Sequence, residues 1–380
     1  MKEKIIKLEN YIVNLNVKKL ILFFYLIIII KIGVWYHPAL WKLLEISINP
    51  FNENLLNNVY AHYLYYNFLG GYLANMLNIS SKISFFLFHL FFSFIFNFVF
   101  FYLVFKNLSR KSAIYSVILF LVFPVSTIVF FWVGYDSITL TILILSVLFR
   151  SYSLIVIVLG ILLGLQHFEI GIVTSVSLLF LNFYNKFNKQ EGFLDLKYSI
   201  SLTFGTILGK LILEYYFSII GISLNTGRTW YTLSVINHFL YNSYFNIHNI
   251  IWFSFSVGWL VIFKYLFFKN KNSFFILILF GSLFIILLVD DQTRVYACIT
   301  FLVLISQVFL NEKFLKEIKN YEISIILILW LAIPYGWVWQ GVLRTSMFTY
   351  DFAYILNYFF DIFNNGSINS SIIWPFKTLR

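Results

Sequence analysis

Charged residues and cysteine are both scarce in this chain of 380 residues. Asp, Glu, Lys and Arg together make up only 11% of the positions, whereas soluble domains carry about 25%. The single cysteine, Cys298, lies in an apolar run, which excludes a disulfide framework and a thiolate metal site. Apolar residues reach 61%, so lipid rather than a packed soluble core must surround most of that surface. These features predict an integral membrane protein.

The recognisable cofactor motifs are also missing. The sequence contains no glycine-rich phosphate-binding loop after a strand and no pair of histidines spaced for a metal. We therefore expect no cofactor; a divalent metal at Asp136, Asp290 or Asp291 is conceivable, but the spacing does not demand it. The net charge of +11 comes from basic residues in short loops between apolar runs, a pattern typical of membrane topology. We expect no nucleic-acid partner.

The apolar runs predict an all-α bundle of about 11 transmembrane spans, with a twelfth left open, in a single polytopic domain covering 1–380. The region 345–363 is either that twelfth span or an aromatic helix in the outer interface. Three runs are shorter than the roughly 20 residues that cross a bilayer. The predicted spans are 20–36, 83–105, 113–132, 138–149, 152–165, 170–184, 198–221, 249–268, 273–289, 295–310 and 323–340.

Lysine and arginine are distributed unevenly between the alternating loops. Most of them fall in the set of loops that includes the N-terminal segment 1–19. Because basic loops stay on the cytoplasmic side, the N-terminus is predicted to be cytoplasmic. The C-terminal segment 341–380 is then predicted to lie on the outer face or in its interface.

Ionisable side chains recur at the predicted outer ends of the spans. Each has a structural alternative: Asp136 as a helix cap, the 166–169 turn as a solvated loop, and Asp291 with Arg294 as a local ion pair. Within the seventh span, Lys210 and Glu214 are predicted to neutralise each other at i,i+4 spacing. The outer segments are Gly134-Tyr135-Asp136-Ser137, Gln166-His167-Phe168-Glu169, Gly227-Arg228, Asp290-Asp291-Gln292-Thr293-Arg294 and Arg344.

These residue types suit transfer chemistry on a lipid-linked sugar. Carboxylates and histidine supply general bases, and the catalytic candidates are Asp136, His167, Glu169 and Asp291. Guanidinium groups bind phosphate oxygens through paired N–H donors, and the substrate-binding candidates are Arg228, Arg294 and Arg344. Aromatic residues in the loop 60–72, His62 and Tyr65 among them, are candidates for stacking on sugar rings; the alternative is an interfacial aromatic belt.

At these residues the chain resembles the bacterial O-antigen polymerases (Wzy) and the allied multi-spanning glycosyltransferases of the GT-C type. The resemblance rests on the Gly134–Ser137 turn opening an apolar helix, the Gln166–Glu169 turn between short helices, and Asp291–Arg294 opening another helix.

The resemblance implies polymerisation of undecaprenyl-pyrophosphate-linked repeat units into O-antigen or capsule at the periplasmic face of the bacterial inner membrane. It also implies a polyprenyl-pyrophosphate-linked glycan, membrane lipid and a chain-length regulator as partners. Two alternatives stay open: a transferase that adds one sugar from a polyprenyl-phosphate donor, and a flippase for lipid-linked sugars.

Overall fold

The computed structural model describes residues 16–37, 39–50, 64–65, 67–190, 192–219, 228–333, 335–339, 342–346 and 376–378. Helices dominate these ranges, as the sequence predicts. In chain order they are α1 (Val17–Lys31), α2 (Leu40–Ile48), α3 (Phe68–Met76), α4 (Lys82–Asn107), α5 (Arg110–Val122), α6 (Pro124–Phe131), α7 (Tyr135–Leu148), α8 (Ser153–Phe187), α9 (Leu196–Ile219), α10 (Arg228–Phe255), α11 (Gly258–Leu266), α12 (Ser273–Ile286), α13 (Gln292–Leu304, continued by a π-helical turn over Ile305–Phe309), α14 (Glu312–Glu317) and α15 (Asn320–Ala332).

Four of these helices are long and apolar enough to cross a membrane: α4, α8, α9 and Gln292–Phe309. The number rises to six if each of two bent pairs is one span. One pair is α5 with α6, bent by 55°; the other joins the second part of α10 to α11, bent by 82°. The helical membrane class is therefore confirmed, whereas the 11 or 12 spans and the cytoplasmic N-terminus stay predictions.

Helix α8 folds back on itself at His167. The backbone of His167 (φ −160°, ψ 82°) is not helical, and a Cβ placed on Gly171 would lie 2.7 Å from Leu163 Cγ. Eight residues of straight helix would separate these positions by about 12 Å. The segments 153–166 and 168–187 are thus two helices joined by a turn, as the sequence predicts for 152–165 and 170–184, so the 35 residues of α8 do not form one straight span.

Both halves of α8 pack on α9, and glycines permit the close approach of the first half. A Cβ on Gly160 would lie 2.7 Å from the Leu202 carbonyl oxygen and 2.9 Å from Gly205 Cα. One turn later, Gly164 faces Gly209 in the same way, again at 2.9 Å. Without side chains here the two backbones touch, which is how small residues at four-residue spacing hold membrane helices together.

The predicted span 323–340 is wrong in its last third. Helix α15 ends at Ala332, and Pro334 follows in the sequence, which disfavours a helical conformation at the residue before it. Strand β1 (Gly336–Trp339) then pairs antiparallel with β2 (Val342–Ser346), which pairs with β3 (Phe376–Thr378). This small sheet was not predicted, and most of 345–363 lies outside the described residues.

The end of α15 is fastened to the end of α1 by a buried lysine. Lys31 Nζ donates to the carbonyl oxygens of Leu331 (3.2 Å) and Ile333 (2.5 Å). These carbonyls at a helix C-terminus lack helical partners, so an ammonium group there satisfies them and complements the helix dipole. The contact holds the chain that enters β1 against the first helix.

Candidate functional site

Three helix N-termini meet at one place in the bundle. Helix α7 begins at Tyr135, the second half of α8 at 168, and α13 at Gln292. The last two helices run side by side, since Thr174 Oγ1 donates to the carbonyl oxygen of Cys298 (3.3 Å). Helix N-termini carry partial positive charge and favour carboxylates close by.

A carboxylate–guanidinium–carboxylate triad occupies this meeting point. Arg294 donates through Nη1 to Asp136 Oδ2 and through Nε to Asp291 Oδ2, both at 2.7 Å. The three side chains are only 1 to 8% exposed. The predicted local pair of Asp291 with Arg294 is confirmed. Asp136, 158 residues away in the chain, does not cap its own helix, which lacks a side-chain cap.

Strand β1, near the C-terminus of the chain, packs against the triad and donates hydrogen bonds to residues 291 and 293. Trp337 Nε1 donates to Asp291 Oδ1 (2.7 Å), and the backbone N–H of Val338 donates to Thr293 Oγ1 (3.1 Å). Both oxygens of Asp291 therefore accept hydrogen bonds. Burial raises the pKa of Asp291 to about 6, although Arg294 and Trp337 oppose that shift.

Replacing Trp337 by phenylalanine is expected to raise the pKa of Asp291 further. The ring packing is retained, but the N–H that stabilises the charged carboxylate is lost. Asp291 would then gain its proton at a higher pH, and the acidic limb of an activity–pH profile would move upwards. Stability should fall by about 1.5–3 kcal/mol, the cost of a hydrogen bond to a charged group. The matched control is Trp339→Phe, on the same strand; an unshifted limb in Trp337→Phe would contradict the prediction.

Tyr135 lies between the triad and the turn at His167. The Arg294 guanidinium carbon is 5.2 Å from the centre of the Tyr135 ring, and the His167 ring is centred 5.8 Å from it. The Tyr135 hydroxyl lies 3.2 Å from His37 Nε2. The cation–π contact of Arg294 with Tyr135 is favourable by about 0.5–2 kcal/mol. Tyr135 therefore connects the triad to the turn at His167.

His37 belongs to a segment that the sequence analysis did not select. Its backbone N–H donates to the carbonyl oxygen of Val133 (2.9 Å), and Trp35 exchanges hydrogen bonds with Phe130 and Val133. Gly134 follows, where a Cβ would lie 2.8 Å from His37 Cβ. Burial, followed by the nearby Arg294 charge, lowers the pKa of His37 well below its usual value. The imidazole is therefore neutral and serves as a partner for Tyr135.

The turn between the two halves of α8 contains the hydrogen-bonded side-chain amide of Gln166 and a His167–Glu169 dyad that lines a cavity. Gln166 donates to the carbonyl oxygen of Tyr135 (3.1 Å) and accepts from the backbone N–H of Gly70 (2.8 Å). His167 Nδ1 lies 3.5 Å from Glu169 Oε2. The histidine side chain is 7% exposed and the glutamate 41%. This segment is therefore not a simple solvated loop.

A cavity of about 180 Å³ opens beside the dyad and the triad. Its polar end is formed by His167, Glu169, Asp290, Asp291 and Arg294. Its other walls are apolar and come from the second half of α8, from α10, from the end of α12 and the residues that follow it, and from α13. They include Ile170, Val173, Ile285, Leu288, Val295 and Ile299. One charged end and a long apolar wall suit an amphipathic ligand.

Tyr65 is not among the residues that line this cavity, and the side chains of Arg228 and Arg344 lie outside the described part of the structure. Tyr65 is buried, with its ring perpendicular to that of Phe217. Its role in stacking on a sugar ring stays a prediction, and His62 lies outside the described residues. Arg228 is the first residue of α10. Arg344 lies on β2, in register with Trp337.

Two further expectations concern charge and metal. The Lys210–Glu214 pair is confirmed, with Nζ 3.4 Å from Oε1. Within the described ranges, no three His, Cys, Asp or Glu side chains are grouped so that they could hold a metal ion. No protein-family model, curated protein or solved structure matches the chain, so the site has to be interpreted from its own geometry.

Proposed function

We propose that the chain is a membrane glycosyltransferase that polymerises undecaprenyl-pyrophosphate-linked repeat units into a surface polysaccharide at the periplasmic face of the inner membrane. The observation that carries the proposal is the His167–Glu169 dyad, which faces an amphipathic cavity next to the buried triad. Ionisable groups are expensive inside membrane proteins and are usually retained for function.

The accessible base of this site is His167. Asp291 has both oxygens engaged, and Asp136 is 1% exposed. Asp291 and His167 both line the cavity, and in His167 it is Nδ1 that Glu169 approaches. A carboxylate at Nδ1 orients the imidazole and stabilises the imidazolium ion, so that Nε2 can accept a proton. Asp136 and Asp291 are then positioning residues that hold Arg294.

The proposed reaction uses this base in one displacement. An acceptor hydroxyl oxygen forms a bond to the anomeric carbon of the donor glycan, and the bond from that carbon to the pyrophosphate oxygen breaks. The hydroxyl proton passes to His167 Nε2, and the polyprenyl pyrophosphate leaves with the bonding electron pair. General-base assistance of this kind contributes about 10²–10⁴-fold to a rate.

Deleting the gene in its host and examining the extracted polysaccharide on a gel tests the proposal. The ladder should collapse to a single repeat unit, and His167→Gln should fail to restore it, whereas Glu169→Gln should leave about 1% of the polymer-forming rate. Glu214→Gln is the matched control, since Glu214 is half exposed and pairs with Lys210 in α9.

Other polysaccharide patterns on the gel would contradict the assignment as a polymerase. A complete ladder with altered spacing would indicate the addition of one sugar, and an unchanged ladder in the deletion strain would contradict transfer altogether. Full complementation by His167→Gln at a normal protein level would remove His167 from the base position.

A further inference from the structure

We propose that a groove between α11 and α15 binds an anionic phospholipid, with the phosphate at Lys264 and an acyl chain between the two helices. The groove encloses about 230 Å³ and, among the described residues, shares no wall with the cavity beside His167. The lipid site is therefore independent of the proposed function. Lys264 and Glu322 form its polar end, and its aliphatic walls include Leu260, Val261, Ile325 and Ile326.

The two helices present matching faces to this groove. On α11, Leu260 precedes Lys264 by four residues, and on α15, Ile326 follows Glu322 by four. Residues at this spacing share one face of a helix. The charged ends of the two faces meet, because Lys264 Nζ lies 2.8 Å from Glu322 Oε1, and the aliphatic residues line the groove one turn away. The groove is therefore charged at one end and apolar at the other, as a phospholipid is.

Glu322 holds the ammonium group of Lys264 at this end without using all of its donors. Glu322 Oε2 accepts from the backbone N–H of Lys319 at 2.8 Å, which fixes the carboxylate in the first turn of α15. Glu322 Oε1 accepts from Lys264 Nζ, also at 2.8 Å. An ammonium group has three N–H donors, and among the described residues Glu322 is the acceptor that it contacts. Since the Lys264 side chain is 33% exposed, the other two donors are available for charge-assisted hydrogen bonds to a phosphate.

The charge around this end favours an anionic over a zwitterionic lipid. The segments 264–272 and 312–322 contain six lysines and three glutamates, and the Lys264–Glu322 contact brings the two segments together. Both segments belong to the lysine-rich loops that are predicted to be cytoplasmic. Each lysine near the cytoplasmic leaflet attracts anionic lipid by about 1 kcal/mol, so the net positive charge selects lipids with a net negative head group.

The other end of the groove opens onto apolar surface. Ile325 is 47% exposed and Leu260 38%, so an acyl chain can enter between them from the bilayer. Lipid tails are as apolar as leucine, and packing rather than the hydrophobic effect therefore decides whether a chain stays. A groove between two helices surrounds a chain on more sides than a flat helix surface does. The tail thus contributes contacts that are common to all lipids, and Lys264 determines which head group is preferred.

Native mass spectrometry of the purified full chain in detergent, titrated with dioleoyl phosphatidylglycerol or dioleoyl phosphatidylcholine, tests this site. The two lipids have the same chains, so a difference in affinity reports the head group. The wild type should bind phosphatidylglycerol about tenfold more tightly. Lys264→Gln should reduce that preference to less than about twofold, whereas Lys269→Gln, which removes the same charge outside the groove, should keep it. Ile325→Trp, which fills the groove, should weaken both lipids about tenfold, and Ile328→Trp on the same helix should not.

Glu322→Gln separates the effect of charge from an effect on folding. The amide oxygen can still accept from Lys264 and from the N–H of Lys319, but the competing negative charge is gone. Phosphatidylglycerol should therefore bind about threefold more tightly than to the wild type. Weaker binding in this variant, as in Lys264→Gln, would show that the ion pair only supports the fold.

Three other outcomes would overturn the lipid site. Equal affinities of the wild type for the two lipids would show that the head group is not recognised. Equal losses in Lys264→Gln and Lys269→Gln would show a general attraction to a basic surface. If Ile325→Trp abolishes a dimer in the same spectra and leaves lipid binding unchanged, the groove receives a second copy of the chain.

Discussion

Replacing Arg294 by alanine is expected to abolish polymer formation and to lower the free energy of unfolding by about 3–5 kcal/mol, the cost of removing one partner from a buried ion pair. The substitution would leave Asp136 and Asp291 buried together without the cation that both contact at 2.7 Å. Their mutual repulsion adds to the desolvation of each carboxylate. Lysine should not rescue the variant, because an ammonium group cannot reach both carboxylates with the planar geometry of guanidinium.

Thermal unfolding of the purified protein in detergent measures this effect, with two further variants as controls. Asp136→Asn keeps the Arg294–Asp291 pair and should unfold closer to the wild type. The triple variant Asp136→Asn, Asp291→Asn, Arg294→Met removes all three charges of the triad, so it should recover most of the stability while remaining inactive. If Arg294→Ala unfolds at the same temperature as the wild type, the ion pairs of the triad do not contribute to stability.

Adding a single methyl group at Gly160 is expected to disrupt the packing of α8 on α9. The new Cβ would lie 2.7 Å from a backbone oxygen of Leu202 and 2.9 Å from Gly205 Cα. Neither atom can rotate away as a side chain could, so the helices must separate. Overpacking of this kind costs about 3 kcal/mol, which corresponds to a fall of roughly 4 °C in Tm for a chain of 380 residues. Gly164→Ala should behave in the same way.

Gly281→Ala provides the matched control for both glycine variants. Gly281 lies within α12, and a Cβ there would meet no atom within 4 Å among the described residues. The same substitution should therefore stabilise the protein by about 0.5–1 kcal/mol, since alanine loses less conformational entropy in a helix than glycine. Equal shifts in Tm for Gly160→Ala and Gly281→Ala would contradict the packing argument.

The parts of the site that the sequence predicts are those fixed by local spacing. The turn at 166–169 is predicted because polar residues interrupt the apolar stretch 152–184 at this point. That stretch is longer than a single span needs, but each of its two parts is shorter than a full span. The pairs Lys210–Glu214 and Asp291–Arg294 follow from i,i+4 and i,i+3 spacing, which brings side chains onto one face of a helix. The structure confirms the Lys210–Glu214 contact as predicted, whereas Arg294 and Asp291 each gain a further partner from elsewhere in the chain.

The partners that the sequence does not predict come from distant parts of the chain. Nothing in the local pattern joins Asp136 to Arg294, which is 158 residues away, or His37 to Tyr135. Trp337 was included in a predicted span because Trp and Val are as apolar as helix-forming residues, and periodicity cannot separate a short buried strand from a helix. The burial of Tyr65 is likewise not predicted, because aromatic content alone does not reveal it.

The distance in sequence between Asp136 and Arg294 also has a consequence for biosynthesis. The Asp136 segment leaves the ribosome 158 residues before its cationic partner, which at ordinary elongation rates is roughly 8–30 s. During that interval a carboxyl destined for the bundle interior has no counter-ion. The segment that carries it has to stay in contact with water until Arg294 arrives, because ionisable groups at membrane depth are costly. The proposed catalytic centre is therefore completed only when translation has passed Arg294 and Trp337, so a partly synthesised chain is inactive in the membrane.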